Sequence, residues 1–115
     1  MMTRVDKPWG YELIFAHTDR YAGKVLFIKK GARLSYQYHE KKDEAFFIDE
    51  GKVEILLDGG AGEHTVVLGR GESLHLPPGT KHRTMALEDT LIFEVSTPEL
   101  DDVVRLSDDY GRVKS

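Results

Sequence analysis

Apolar and polar residues alternate with a period of two along most of this 115-residue chain, in short runs broken by glycine-rich turns. That period marks strands, whose successive side chains face opposite sides of a sheet. It predicts strands at Tyr11–Ala16, Lys24–Ile28, Arg33–His39, Glu44–Asp49, Lys52–Leu57, Thr65–Leu68, Ser73–Leu76, His82–Leu87 and Leu91–Ser96. The runs KKGAR, DEGKV, LDGGAGEH, LGRGES and PPGTK supply the turns between them. LDGGAGEH lacks phosphate-loop spacing and no helical pattern follows it, so it reads as a flexible hairpin. Evenly spaced short strands with Gly and Pro turns predict an all-β sandwich or barrel. One stretch, TPELDDVVRL, carries a helix start, with Thr97, Pro98 and Glu99 in capping order. No repeat or linker interrupts the pattern, so residues 1–115 read as a single domain.

The polar residues of two strands raise the question of function. Along Arg33–His39, Leu34, Tyr36 and Tyr38 form one face, and Arg33, Ser35, Gln37 and His39 form the other. Either the apolar face is the core and the polar face is solvated, or the polar face lines a cavity and the aromatic face needs cover. The next strand favours the second. Glu44 shares its face with Phe46 and Ile48, so its carboxylate looks into the barrel mouth. A buried carboxylate is costly without a cation or several donors. In GESLHLPPGTKHRTM, the Pro77-Pro78-Gly79 turn delivers His82 to the start of another strand, with Thr84 and Ala86 on its face. Gln37, His39, Glu44 and His82 thus offer an amide oxygen, two imidazoles and a carboxylate, a donor set that suits one divalent cation. His17 and His64 fall in turns, His75 reads at most as a residue behind the ligands, and Trp9 reads as packing the N-terminal strand against the barrel.

Composition narrows the function classes. A net charge of −4 argues against general nucleic-acid affinity, which needs a basic footprint. With no cysteine, disulfides, thiol nucleophiles and thiolate metal sites are all excluded. Apolar runs fall far short of the roughly 20 residues that cross a bilayer. The opening MMTRVDKPWGYEL lacks a signal-peptide core. The expectation is a cytoplasmic protein with neither membrane nor nucleic-acid partner.

The run from Gly31 to Gly51, holding Gln37, His39 and Glu44, resembles the first motif of the cupins; Gly71–His82, with Pro77 and Gly79, resembles the second. Gln37 in place of the first cupin histidine, inside GARLSYQYH, is more specifically similar to the cupin of type II mannose-6-phosphate isomerases. KPWGYE (Lys7–Glu12) resembles the opening of that branch and DDVVRLSDDYGR (Asp101–Arg112) its ending. The resemblance implies a double-stranded β-helix (jelly-roll) barrel with one divalent metal ion per chain on Gln37, His39, Glu44 and His82. Zinc is expected first, with manganese, iron, cobalt or nickel as alternatives. In bifunctional bacterial relatives this cupin is the C-terminal domain behind a guanylyltransferase; nucleotidyl transfer is not carried over, because that domain is absent here. Departures are also evident. Lys41 and Ala45 stand where related domains tend to have histidine, Phe46 where they have tryptophan, and Ala86 where the second motif commonly ends in asparagine.

By resemblance, the activity implied is isomerisation of mannose 6-phosphate to fructose 6-phosphate, in nucleotide-sugar or polysaccharide metabolism. Lys24 matches a lysine typical of the family, and Glu94, embedded in LIFEVST, is expensive to bury unless paired or at work. Both are the expected proton-handling residues. Ser35, Arg33 and Arg112 are the expected phosphate donors. A homodimer is expected, because the Leu34, Tyr36 and Tyr38 face needs cover. The rival readings are a non-catalytic cupin that binds a sugar or another small molecule, and a metal-dependent oxygenase. The oxygenases of this fold tend to keep three histidines, which Gln37 breaks.

Overall fold

A computed structural model describes residues 2–113. Among these residues, eleven strands form two antiparallel sheets. The first sheet holds β1 (Thr3–Lys7), β2 (Gly10–His17), β3 (Ala22–Ile28), β10 (Thr90–Ser96), β5 (Glu44–Glu50) and β8 (Ser73–Leu76), in that order. The second holds β11 (Val104–Ser107), β4 (Tyr36–Tyr38), β9 (Lys81–Ala86), β6 (Lys52–Asp58) and β7 (His64–Gly69). All described residues lie in strands, turns or irregular segments, with no helix among them. None therefore forms a helix long and apolar enough to cross a membrane.

The inward faces follow the alternation in the sequence, and each changes character along its length. On β3 the inward series runs Ile28, Leu26, Lys24; on β5 it runs Ile48, Phe46, Glu44; on β10, Ile92 then Glu94. Across the barrel β9 runs Ala86, Thr84, His82. Register aligns these gradients: Ile92 pairs with both Leu26 and Ile48, and Glu94 with both Lys24 and Phe46. One end of the barrel is therefore closed and apolar, with Ile28, Ile48, Val53, Ile55 and Ile92 at 0% exposure. The other end gathers ionisable groups. Gly51 makes the tight turn at the closed end. Its φ is +93°, and a Cβ there would come within 2.4 Å of the Asp89 carbonyl oxygen.

Three expectations are corrected. TPELDDVVRL does not form a helix. Its N–H bonds join Leu100 to Pro98, Asp102 to Glu99 and Val103 to Asp101, which are turn spacings, and Val104–Ser107 then pairs with β4. The Arg33–His39 strand shortens to Tyr36–Tyr38, leaving a single bridge between Arg33 and Met85. The face needing cover is also different. Leu34 packs on the core and lines the cavity, while Tyr36 and Tyr38 are half-buried. The exposed apolar surface is the outer face of the six-stranded sheet, where Phe47 and Phe93 stack with centroids 6.3 Å apart beside Val95 and Phe15. Trp9 packs into the core as expected.

Candidate metal centre

The open end of the barrel encloses a cavity of about 660 Å³. His39 leaves β4, Glu44 opens β5 and His82 is the second residue of β9. One ligating atom from each lies within 4.8 Å of the others, and all three side chains are buried. The elements that aim them are local. The Pro77-Pro78-Gly79 turn donates the Gly79 N–H to the His39 carbonyl at 2.7 Å, with Gly79 at φ +84°. The Asp102 carboxylate accepts from the N–H groups of Glu40, Lys41 and Lys42, folding the loop that carries His39 towards Glu44.

The ring nitrogens test whether a cation fits. His39 Nδ1 meets the backbone carbonyl of Asp102, and His82 Nδ1 meets that of Thr80 at 2.9 Å. A carbonyl only accepts, so each Nδ1 carries a proton, and Nε2 is the ring atom left to face Glu44. Those Nε2 atoms lie 3.1 Å and 3.6 Å from the Glu44 oxygens. His39 Nε2, His82 Nε2 and Glu44 Oε2 are all buried without a hydrogen-bond partner. Burial pushes the His82 imidazole down from its usual value, which keeps it neutral. Burial alone would raise the Glu44 carboxyl, but His39, Lys42 and His82 together hold it down at about 2. Two imidazole Nε2 atoms and a carboxylate oxygen thus converge on one buried point with no hydrogen-bond partner, an arrangement that a divalent cation between them would satisfy. Metal–ligand bonds of about 2.0–2.2 Å would close the observed spacing with small side-chain movements. The residues fit a divalent metal.

Gln37 sits beside His82 in the β4–β9 register and lines the same cavity. Its Oε1 accepts a 2.5 Å bond from Ser35 Oγ, and a carbonyl oxygen keeps a second lone pair. Lys24 and Glu94 are cross-strand partners facing the cavity, both more than nine-tenths buried. Lys24 bonds Glu12 at 3.4 Å. Burial, with the nearby Glu44 charge, pushes the Glu94 carboxyl above its usual range. Arg112 lines the cavity and is held by Asp108 through two bonds of 2.8 and 3.0 Å. Arg33 is not brought to this site: its guanidinium makes a two-bond pair with Asp109 outside the cavity, next to Arg83. His75 also faces outward, paired with Asp43 at 2.7 Å and 63% exposed in its side chain.

Sequence reading missed three cavity cations: Lys42, Arg105 and Lys7, the last lying 4.0 Å from Glu12. Lys42 is 4% exposed and lies 3.0 Å from both Glu44 and Glu94. Burial opposes its charge, but Glu94 and Glu44 outweigh that and raise its pKa. Arg105, opposite Gln37 in the β11–β4 register, points a buried Nε into the cavity with no partner among the described residues. Burial and the neighbouring Arg112 push its pKa down. The alternation in VVRLS was a usable strand signal for Arg105. Lys42, in the turn-like EKKDE, offered none.

The Asp108–Arg112 pair predicts an acid response. The bonds from Arg112 hold the shielded Asp108 carboxyl at about 2, against an ordinary 3.8. The unfolded chain therefore takes up a proton where the folded chain does not, and the pair stabilises fully above about pH 4 and is lost towards pH 2. Thermal midpoints of the wild type and Asp108→Asn should accordingly differ near pH ~7 and converge near pH ~2. A gap that stays constant across that range would remove the pair from the stability of this end.

Known proteins agree with this geometry. Residues 24–95 match the Cupin domain family. The chain is 36% identical over 115 residues to mannose-1-phosphate guanylyltransferase of Escherichia coli K12, covering 95% of this chain and 23% of that protein. It is 31% identical over 114 residues to the xanthan biosynthesis protein XanB of Xanthomonas campestris pv. campestris, covering 95% and 24%. The chain thus spans about a quarter of the length of these curated relatives. Among solved structures, KdgF from Halomonas sp. superposes with a TM-score of 0.76 at 27% identity, covering 87% of this chain and 91% of that one. Oxalate decarboxylase from Bacillus subtilis superposes at 0.79 with 18% identity, covering 91% and 30%, a likeness of fold alone. With the motifs, the jelly-roll sheets and the family match in agreement, this chain belongs to the cupin domain family.

Proposed function

We propose that this cupin is a metal-dependent isomerase of a phosphorylated sugar, interconverting mannose 6-phosphate and fructose 6-phosphate. One observation carries the reading: the His39–Glu44–His82 group shares a single cavity with Lys24, Glu94 and two guanidinium groups. Similarity to mannose-1-phosphate guanylyltransferase and XanB supports a sugar-phosphate ligand and a role in nucleotide-sugar or polysaccharide metabolism. A bound divalent metal, zinc first among the candidates, would polarise the sugar carbonyl and offset the charge left when a neighbouring carbon loses its proton. His39, Glu44 and His82 would hold it, with Gln37 beside them. Glu94 takes the C2 proton and returns it to C1, while the O2 hydroxyl proton passes to O1, so that the carbonyl moves from C1 to C2. Lys24, steadied by Glu12, donates a hydrogen bond to the sugar oxygen that gains charge. Ser35, Arg105 and Arg112 orient the phosphate. The cytoplasmic location and the homodimer belong to this reading too, with the Phe47–Phe93 face as the surface to cover.

Two measurements test it. Arg105→Ala and Ser35→Ala should weaken binding of mannose 6-phosphate far more than binding of mannose, because only the phosphate needs charge-assisted donors, worth ~1.5–3 kcal/mol each. Equal losses for both ligands would remove these residues from the phosphate role. In deuterated water, metal-loaded protein should place deuterium at C2 of mannose 6-phosphate or C1 of the product, and Glu94→Gln should abolish this while retaining metal.

A binding cupin without catalysis is the second reading. The ion pairs favour it: Glu94 is tied to Lys42 and Lys24 to Glu12, so both proton-handling candidates are already engaged. Saturable binding of mannose 6-phosphate by metal-loaded protein, with no deuterium incorporated, would decide for the binder.

A further inference from the structure

Two buried carboxylates flank Lys42 in the cavity, and only one of them, Glu44, belongs to the group that converges with His39 and His82. Glu44 and Glu94 are 3% and 5% exposed. Each places its Oε2 3.0 Å from Lys42 Nζ, so the two oxygens are neighbours across one ammonium group. Glu94 therefore stands next to the carboxylate that would hold the metal, outside the converging group itself. Lys42 treats the two differently. Its ammonium donates an aligned hydrogen bond to Glu94, whereas Glu44 Oε2, at the same distance, has no aligned donor. One carboxylate is committed and the other is left open towards His39 and His82.

We propose that Lys42 is the residue that sorts these carboxylates: it withholds Glu94 from the metal and so keeps a one-carboxylate, two-imidazole site. The inference rests on the metal-site reading above and adds to it a determinant of metal affinity and preference. Lys42 is a positioning residue in this scheme, since it touches Glu44 and Glu94 and not the ion. Its positive charge also lowers the site's attraction for a divalent cation. Without it, two buried carboxylates would face the same space with no cation between them, and a divalent ion would be the charge that compensates both. Because added oxygen ligands suit harder metals, the preference should move towards Mn²⁺ relative to Zn²⁺.

The test is metal binding to metal-stripped protein, read by Mn²⁺ electron paramagnetic resonance and by competition with Zn²⁺. Lys42→Met is expected to tighten Mn²⁺ binding roughly tenfold or more, the scale of effects from residues behind the ligands. Lys42→Arg, which keeps the charge and the donors, should retain wild-type affinity. The double variant Lys42→Met/Glu94→Gln should lose the gain, because the second carboxylate is then gone. Weaker or unchanged Mn²⁺ binding in Lys42→Met overturns the proposal. Glu94→Gln alone supplies a check that does not depend on Lys42→Met folding: wild-type Mn²⁺ affinity supports the sorting, and a tenfold loss would mean that Glu94 already ligates, which overturns it. If wild-type protein binds neither Mn²⁺ nor Zn²⁺, the metal reading falls and this inference with it. Binding that Lys42→Met leaves unaltered removes the inference alone.

Discussion

Replacing His39 or His82 with alanine should each lower divalent-metal affinity by two orders of magnitude or more, beyond the loss of a residue behind the ligands. Metal content measured on purified protein should fall from near one ion per chain to near zero. The β fold should remain, because both histidines stand at the open end of the barrel and neither belongs to the apolar cluster. Circular dichroism alongside metal analysis separates the two effects. Unchanged metal content in both variants would mean that the converging lone pairs have some other purpose. The thermal midpoint of the wild type should rise with added metal, since an ion that binds only the folded chain stabilises it by mass action.

Ile48→Ala should do the opposite, costing stability while leaving the metal-site geometry in place. Ile48 is fully buried at the closed end, in register with Ile92. Truncating such a residue loses its transfer free energy and leaves a cavity that the surrounding strands cannot fill, at a cost of about 2–5 kcal/mol. For a domain of this size the melting midpoint should fall by several degrees for each kcal/mol, ~4–8 °C in smaller domains. Metal bound per folded chain should stay at the wild-type value. A midpoint shift of only a degree or two would show that the closed end tolerates collapse around the gap.

Alternation made the barrel legible because most of its strands bury one face against the other sheet. It failed where that condition fails. β1, TRVDK, has a single apolar residue, Val5, and reads as polar chain. β11 was overlooked despite the alternation in VVRLS, because Thr97, Pro98 and Glu99 imitate a helix start, while the nearby Asp102 carboxylate serves the backbone of residues 40–42 instead. Among the site residues, Gln37, His39, Glu44 and His82 could be named together because each sits on or next to a strand whose inward parity is readable. Arg33 could not be placed by parity. The ladder breaks before it, and Asp109, distant in sequence, draws it out of the cavity. Lys42 was beyond reach for another reason: its stem crosses from an irregular loop to two carboxylates on different strands, and no periodicity encodes such a reach.

The gradient along each inward face, isoleucine at one end and charge at the other, also acts as a register lock. Sliding β5 by two residues against β10 would keep every side chain on its proper side, so alternation alone cannot forbid that error. The slip would carry Glu44 either into the level now held by Phe46, where an unpaired carboxylate is costly, or away from His39, His82 and Lys42. Mispaired strands are thus penalised at the ionisable end even while their apolar ends still match. A substitution that removes charge from this end, such as Glu44→Leu, should be read for misregistered or aggregated product as well as for lost metal.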